Sequence, residues 1–178
     1  MFELIVAHDK NGLIGLDGKL PWNIRADLMR FRQLTMGNIV VMGRKTFESL
    51  PNGPLQGRIN VVLTREDIVL SERDSEENVY FANMRTIFQL LARLVEIGQK
   101  MYVIGGGEIY DLLFDECHAI HATVVDGDFA GQEGASKTYF PRLAEMAVVF
   151  EKTRESEIMF SENNVEYQYI TYRRRDDL

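Results

Sequence analysis

The sequence predicts an α/β protein: a single domain with a twisted, mostly parallel sheet, an antiparallel pair of strands near the C-terminus and about four flanking helices. Three observations predict it. Short, continuously apolar runs at residues 39–42 and 101–104 have the length and composition of strands buried on both faces. Each runs through glycine into a helical pattern, at Gly43 and again at Gly105-Gly106-Gly107. Residues 148–150 and 165–172 read as strands with no helix pattern between them, which fits an antiparallel pair better than a further crossover.

The chain has 178 residues, the size of one domain, and shows no repeat, linker or low-complexity tract, so 1–178 is read as one unit. A 46% hydrophobic content is enough for a real core. Residues 2–8 are an apolar run suited to a buried first strand, and they lack the basic start of a signal peptide. No apolar run reaches membrane-spanning length. The single cysteine, Cys117, excludes an internal disulfide framework and suits a reducing, cytoplasmic compartment. A net charge of −7 argues against nucleic acid as a partner, while an anionic small ligand remains open if cations gather locally.

After the first strand, residues 11–18 hold Gly12, Gly15 and Gly18 around Leu13 and Ile14, a loop expected to cover something. Leu20-Pro21-Trp22 then approaches a helix that begins near Ile24. At about 100° per residue, Ile24, Leu28, Phe31 and Leu34 fall in one arc, with Arg25, Met29, Arg32 and Gln33 opposite. Asp27 lies inside the apolar arc. It is either a helix-start charge favoured by the helix dipole or a desolvated acid that hydrogen-bonds a ligand.

The strand at 39–42 passes through Gly43 into a helix whose first turn carries Arg44, Lys45 and Thr46, and residues 51–54 stop that helix. This outlines a phosphate cradle. It is not a P-loop, because five residues rather than four separate Gly37 from Gly43 and Arg44 precedes Lys45, so a kinase ranks low. Residues 57–65 read as a strand with Arg58 and Arg65 near its ends, 71–78 as a polar surface loop and 79–81 as a short strand. Ile87, Leu90, Leu91, Leu94 and Val95 form a helical stripe assigned to core packing. The second glycine junction, 105–107, resembles a pyrophosphate turn without being the dinucleotide fingerprint, since Tyr110 stands where the last glycine would be. Cys117, His118 and His121 are not expected to bind metal: on a strand through 119–125 the period of two puts the histidines on opposite faces, and no fourth ligand is near. Residues 126–137 read as a long loop, and Arg173-Arg174-Arg175 with Asp176-Asp177 as a solvated tail.

Taken in order, Ile14-Gly15, Leu20-Pro21-Trp22, Asp27-Leu28, Phe31, Met42-Gly43-Arg44-Lys45-Thr46, Gly57-Arg58, Ile104-Gly105-Gly106-Gly107 with Tyr110, Thr123 and Tyr139-Phe140-Pro141 resemble the dihydrofolate reductases from end to end. Aspartate at 27 resembles the bacterial form. The resemblance implies that Asp27 binds the ring N–H and 2-amino group of a pterin, supported by Thr123, with Trp22 completing the catalytic set. It implies that Ile5, Leu28, Phe31, Leu50 and Ile104 line the substrate and that Arg58 pairs with the carboxylate of its glutamate tail. NADPH is the implied cofactor. Ala7, Ile14, Gly15 and Leu20 would lie along it, as would Gly43, Arg44, Lys45, Thr46, Gly105, Gly106, Gly107, Glu108, Ile109 and Tyr110. Arg44, Thr64 and Arg65 match the pocket for its 2′-phosphate.

The implied reaction is hydride transfer to C6 of 7,8-dihydrofolate with protonation at N5, by a cytoplasmic monomer that also binds antifolates. Three positions depart from the family pattern. Leu20 stands in place of Met, Gln56 in place of Pro, and Lys137 in place of an Asp that in some relatives bonds the glycine-rich lid. With a longer 126–137 loop, the chemistry carries over and the lid's dynamics do not. The competing readings are a same-fold reductase of a riboflavin-pathway pyrimidine and a non-catalytic nucleotide-binding protein.

Overall fold

A computed structural model describes residues 1–66, 78–131 and 134–177. The expected polar loop at 71–78 falls, apart from Asn78, outside the described residues, as do residues 132 and 133 of the expected long loop. In chain order, β1 (Phe2–Asp9) leads to β2 (Leu13–Leu16), α1 (Arg25–Thr35), β3 (Ile39–Gly43), α2 (Arg44–Glu48), β4 (Ile59–Leu63) and β5 (Val79–Ala82). Then come α3 (Ile87–Leu94), β6 (Met101–Gly105), α4 (Gly107–Leu113), β7 (Cys117–Val125), β8 (Lys137–Tyr139), α5 (Leu143–Val149), β9 (Phe150–Glu155), β10 (Met159–Phe160) and β11 (Glu166–Arg174).

The main sheet runs β10-β11-β7-β1-β6-β3-β4-β5, with β9 also paired to β11. Its six strands from β7 to β5 are parallel, and β11 closes it antiparallel to β7 and β9. The period of two sorts the side chains to its two faces. Leu4, Val6, Ile39, Val41, Val61 and Val103 pack against α3, α4 and Met146 of α5. Val40, Met42, Val62 and Tyr102 pack under Leu34 of α1 and Phe47 of α2, together with Leu50. After β5 the chain returns through α3 to lay β6 between β1 and β3, then crosses to the other side of β1 as β7. In open α/β sheets a reversal of this kind opens a crevice at the carboxyl ends of the strands.

Four expectations are corrected. The glycine-containing stretch after β1 is a strand, not a plain loop: β2 pairs with β8, with an irregularity between Leu13 and Gly15. Residues 148 and 149 end a fifth helix, and the strand starts at Phe150. Leu143, Met146 and Val149 turn to the core at helical spacing while Val148 is 72% exposed. The C-terminal arginines are not a solvated tail, because Arg174 stacks on Phe150 at 4.7 Å and donates to the carbonyls of Cys117 (2.8 Å) and Phe114 (2.9 Å). His118 and His121 reach the same carboxylate, that of Glu3. Phe2 pairs with Cys117 and Glu3 with Ala119, so His118 is the extra residue of a bulge, which cancels the alternation between the two histidines.

That carboxylate is a buried charge at the amino end of the sheet. Glu3 is 3% exposed and lies 2.6 Å from His121 Nε2 and 2.8 Å from Lys100 Nζ. Burial alone would raise its pKa, but the hydrogen bonds and charges of His121 and Lys100 outweigh burial and hold it near about 2, against 4.5 for a free glutamate. A carboxylate whose folded-state pKa is depressed stabilises the fold above its unfolded pKa and ceases to do so as pH falls through the folded value. We expect Glu3→Gln to destabilise the protein at neutral pH by on the order of 2–4 kcal/mol. The loss should shrink steadily from pH 5 towards pH 2, as chemical denaturation at several pH values would show.

Candidate active site

α1 carries the acid to the carboxyl end of the sheet. Ile24, extended at the helix start, is buried and anchors the helix against Val125 and Tyr167. Further along the same arc the packing opens. Leu28 is 52% exposed, and Phe31 and Leu34 are half-buried. The apolar face of α1 therefore fronts a cleft, not only core. Beneath it, Ile5 and Ala7 of β1 and Ile104 of β6 keep partial exposure on otherwise closed strands, and Leu50 after α2 is half-buried too. These residues form an apolar floor and walls around a single carboxylate.

Asp27 is held from the sheet. Thr123 Oγ1 donates to Asp27 Oδ1 at 2.6 Å. Burial raises the acid's pKa, and the Thr123 hydrogen bond and the charge of Arg30 oppose that rise without cancelling it. Asp27 stands in the first turn of α1, as the helix-start reading has it, and it is also desolvated and bonded across to β7, as the ligand-binding reading requires. Trp22 packs edge-on against Phe129 at 5.2 Å, buried with Ile24 in the same small cluster. Its indole Nε1 has no partner among the described residues.

The two glycine junctions meet. A Cβ on Gly43 would lie 2.9 Å from the Ile109 side chain, and one on Gly106 would lie 3.3 Å from Thr46 Oγ1. Glycine is needed here so that the starts of α2 and α4 can approach each other. Gly105, at φ +116, lies against the Tyr110 ring, and Tyr110 donates its hydroxyl to the Ile5 carbonyl at 2.7 Å. The tyrosine in place of a third glycine is thus a tie between α4 and β1. At the outer edge Arg44 donates to Thr64 Oγ1 at 2.7 Å and also pairs with Glu66, while Arg65 pairs with Glu108 at 2.7 Å. Lys45 is exposed and makes no ion pair among the described residues.

At the far end of α1, Arg58 donates to Thr35 Oγ1 (3.2 Å) and to the Gln56 carbonyl (3.1 Å). Its pKa is lowered by burial and by the charge of Arg32, so two guanidinium groups share that end of the cleft. Over the other end lies the β2–β8 ribbon. Asp17 and Ser136 exchange hydrogen bonds, the Ser136 N–H to Asp17 Oδ1 and the Asp17 N–H to the Ser136 carbonyl, each at 2.8 Å. These bonds, together with Phe140 N–H to the Gly12 carbonyl (2.8 Å), tie the glycine loop down beside Lys137 without an aspartate at 137. Fully buried Asp9 holds the loop's root, accepting from the N–H groups of Asn11 (2.8 Å) and Leu13 (2.9 Å). Leu20, just beyond the ribbon, is exposed.

The structure therefore joins Asp27 to Thr123, Gly43 and Thr46 to Gly106 and Ile109, Arg44 to Thr64, and Arg58 to the end of α1. Sequence reasoning missed Arg30, Tyr169, Asp9, Glu66 and the Asp17–Ser136 exchange. Arg30 could have been found, since it stands one helical turn after Asp27. The others depend on strand register and loop pairing. Among the described residues no cluster of His, Cys, Asp and Glu could hold a metal ion.

Comparison with known proteins agrees with this geometry. A family model described as dihydrofolate reductase matches residues 1–174. The chain is 36% identical over 179 residues to the type 8 dihydrofolate reductase of Escherichia coli, covering 99% of this chain and 98% of that one. It is 40% identical over 131 residues to the dihydrofolate reductase of Enterococcus faecium, covering 74% of this chain and 75% of that one. A bifunctional dihydrofolate reductase-thymidylate synthase of Paramecium tetraurelia is 34% identical over 94% of this chain, which spans 33% of that protein's length. Among solved structures, dihydrofolate reductase from Enterococcus faecalis, complexed with NADP(H) and RAB-propyl, superimposes with a TM-score of 0.78 at 31% identity. It covers 99% of this chain and 97% of its own.

The environment of Asp27 has a consequence for stability opposite in sign to that of Glu3. An acid whose folded-state pKa is raised costs stability when ionised, and the cost fades as pH falls and the folded state takes up its proton first. We expect Asp27→Asn to raise the neutral-pH stability by on the order of 1 kcal/mol, with the difference from the parent protein narrowing on acidification. Thermal unfolding of both proteins between pH 4 and pH 8 measures it.

Proposed function

This chain belongs to the dihydrofolate reductase family, and on that premise we propose that it reduces 7,8-dihydrofolate to 5,6,7,8-tetrahydrofolate with NADPH, serving one-carbon metabolism and nucleotide synthesis. The observation that carries the reading is one half-buried, desolvated carboxylate, Asp27, fixed by Thr123 beneath the apolar side chains of α1. A flat heterocycle with a paired N–H and amino edge satisfies both oxygens of such an acid and gains bidentate, charge-assisted hydrogen bonds in a dry site. Ile5, Leu28, Phe31, Leu50 and Ile104 then enclose its apolar faces. Arg58, tied to the outer end of α1, meets the carboxylate of the glutamate tail, with Arg32 adding charge beside it.

The residues of the second half of the cleft fit a dinucleotide. The glycine junctions leave no room for a Cβ where α2 and α4 approach, and Arg44, Thr64 and Arg65 gather at the edge where a 2′-phosphate would sit. When bound, NADPH supplies the hydride from C4 of its nicotinamide. The chain's own work is alignment and exclusion of water. Ala7, Ile14, Gly15 and Leu20 would hold the nicotinamide end, beside the β2–β8 ribbon, and would keep water from the reacting rings. Asp27 holds and polarises the pterin, Trp22 packs beside it, and water carries the proton to N5, balancing the hydride added at C6. The chain acts as a cytoplasmic monomer and binds antifolates at the pterin site; its charge of −7 supports the reading that it does not bind nucleic acid.

The decisive assay follows NADPH oxidation at neutral pH in the presence of dihydrofolate. Turnover by the parent protein and a loss of about 100-fold or more in Asp27→Asn, at unchanged NADPH affinity, is the expected result. A parent protein inert to dihydrofolate would sink the reading. A second measurement separates head from tail: Arg58→Ala should raise the KM for dihydrofolate about tenfold or more and leave a pterin substrate without the glutamate nearly unaffected. Equal losses with both substrates would remove Arg58 from the tail site.

A further inference from the structure

Arg30 stands one turn after Asp27 on α1, and none of the roles above uses it. Its guanidinium lies 4.3 Å over the ring of Tyr169, and its Nη1 donates to Thr123 Oγ1 at 3.4 Å. Tyr169 and Thr123 are register partners across β11 and β7, so the ring and the hydroxyl sit side by side on one face of the sheet. Thr123 in turn donates to Asp27 Oδ1 at 2.6 Å. The order of this chain matters. An arginine has five N–H donors and no acceptor, so the single hydroxyl hydrogen of Thr123 cannot point at Arg30 and must point at Asp27. The chain Arg30 to Thr123 to Asp27 therefore runs in one direction, and it ends on an accepting oxygen of Asp27.

Arg30 also makes no salt bridge within 4 Å among the described residues, although it is half-buried. A guanidinium held out of water with a ring beneath it and a hydroxyl before it is paying desolvation for its position. The charged and titratable groups that face Asp27 are few. Besides Arg30 on its own helix they are the phenols of Tyr110 on α4 and Tyr169 on β11, both driven by burial far above the ordinary tyrosine range and so neutral. Arg30 is thus the one countercharge that faces the acid among the described residues.

We propose that Arg30 is a positioning residue of the reaction: docked on Tyr169, it orients the Thr123 hydroxyl and holds Asp27 as a carboxylate aimed into the pterin site. This rests on the functional reading above and adds to it a group that biases the acid towards its ionised form. The charge of Arg30 offsets part of the rise that burial imposes on Asp27.

The test uses the full chain labelled with carboxyl-13C aspartate. The Asp27 resonance is assigned by its absence in Asp27→Asn and titrated by NMR in the parent protein and in Arg30→Lys, Arg30→Gln and Arg30→Leu. The same four proteins are compared in single-turnover reduction of dihydrofolate across pH. We expect the Asp27 midpoint to rise by about one pH unit, a tenfold gain in proton affinity, in both Arg30→Gln and Arg30→Leu. Arg30→Lys should recover much of the shift, since it restores charge, and the pH midpoint of hydride transfer should move upward with the carboxyl midpoint. Unmoved midpoints in folded Arg30→Gln and Arg30→Leu overturn the proposal and leave Arg30 as packing on Tyr169. Should the leucine variant fail to fold, the glutamine variant, which retains hydrogen bonding without charge, decides alone. A parent protein that never reduces dihydrofolate overturns the functional reading, whereas unmoved midpoints in a protein that does reduce it overturn only the role of Arg30.

Discussion

The 2.6 Å hydrogen bond between Thr123 and Asp27 is the contact on which the site depends. It fixes α1 to β7 alongside the contacts of Arg30 with Thr123 and Tyr169, between the apolar anchors of Ile24 at the helix start and Leu34 near its end. An ordinary amphipathic helix would close that gap with leucine and abolish the cleft. A carboxylate placed there does the reverse. It requires a hydrogen-bond donor from the sheet and leaves further lone pairs that want a polar partner in an apolar surrounding. The openness of Leu28 and Phe31 and the unmet capacity of Asp27 are two aspects of one arrangement, since a helix face kept off the core is available to a ligand.

The β1–β7 pair shows how position along a sheet assigns opposite electrostatic roles to the same functional group. At its amino end Glu3 meets Lys100 and His121 directly, and its pKa is driven down. At its carboxyl end Asp27 meets a hydroxyl and only a more distant cation, and its pKa stays up. Burial raises both. Full charges at the oxygens reverse that rise for Glu3, and neutral donors with a distant charge do not for Asp27. The amino end thus gains a structural ion cluster, and the carboxyl end keeps an acid able to respond to a ligand.

Legibility in the sequence followed the range of the interactions. Strands β3 and β6, the stripe of α3 and both glycine junctions were readable because apolar period and backbone need are local. Asp27 stood out for the same reason, as one wrong-polarity residue in a helical arc. Readings failed where a single backbone event reset the phase. The bulge at His118 moved that side chain to the face of His121, and nothing in residues 117–125 announces it. The ribbon of β2 with β8 joins segments more than a hundred residues apart, so the aspartate missing at 137 looked like a lost lid contact while Asp17 and Ser136 supplied another. Residues 148–149 read as strand in the sequence because three apolar residues in a row fit the end of a helix and the start of a strand equally well.

The proposed cofactor edge shows what an acidic chain can offer an anion. Arg44 and Arg65 do not stand free: each is already matched by a carboxylate, Glu66 or Glu108. Both pairs are largely solvent-exposed, and exposed pairs contribute only about 0–1 kcal/mol. Such partners restrain the two guanidinium groups near the end of β4 at little cost to a stronger competitor. On the proposed reading, a phosphate dianion, which can take forked hydrogen bonds from both arginines at once, would displace two weak monoanionic contacts and keep the Thr64 hydroxyl beside Arg44 as a fixed point.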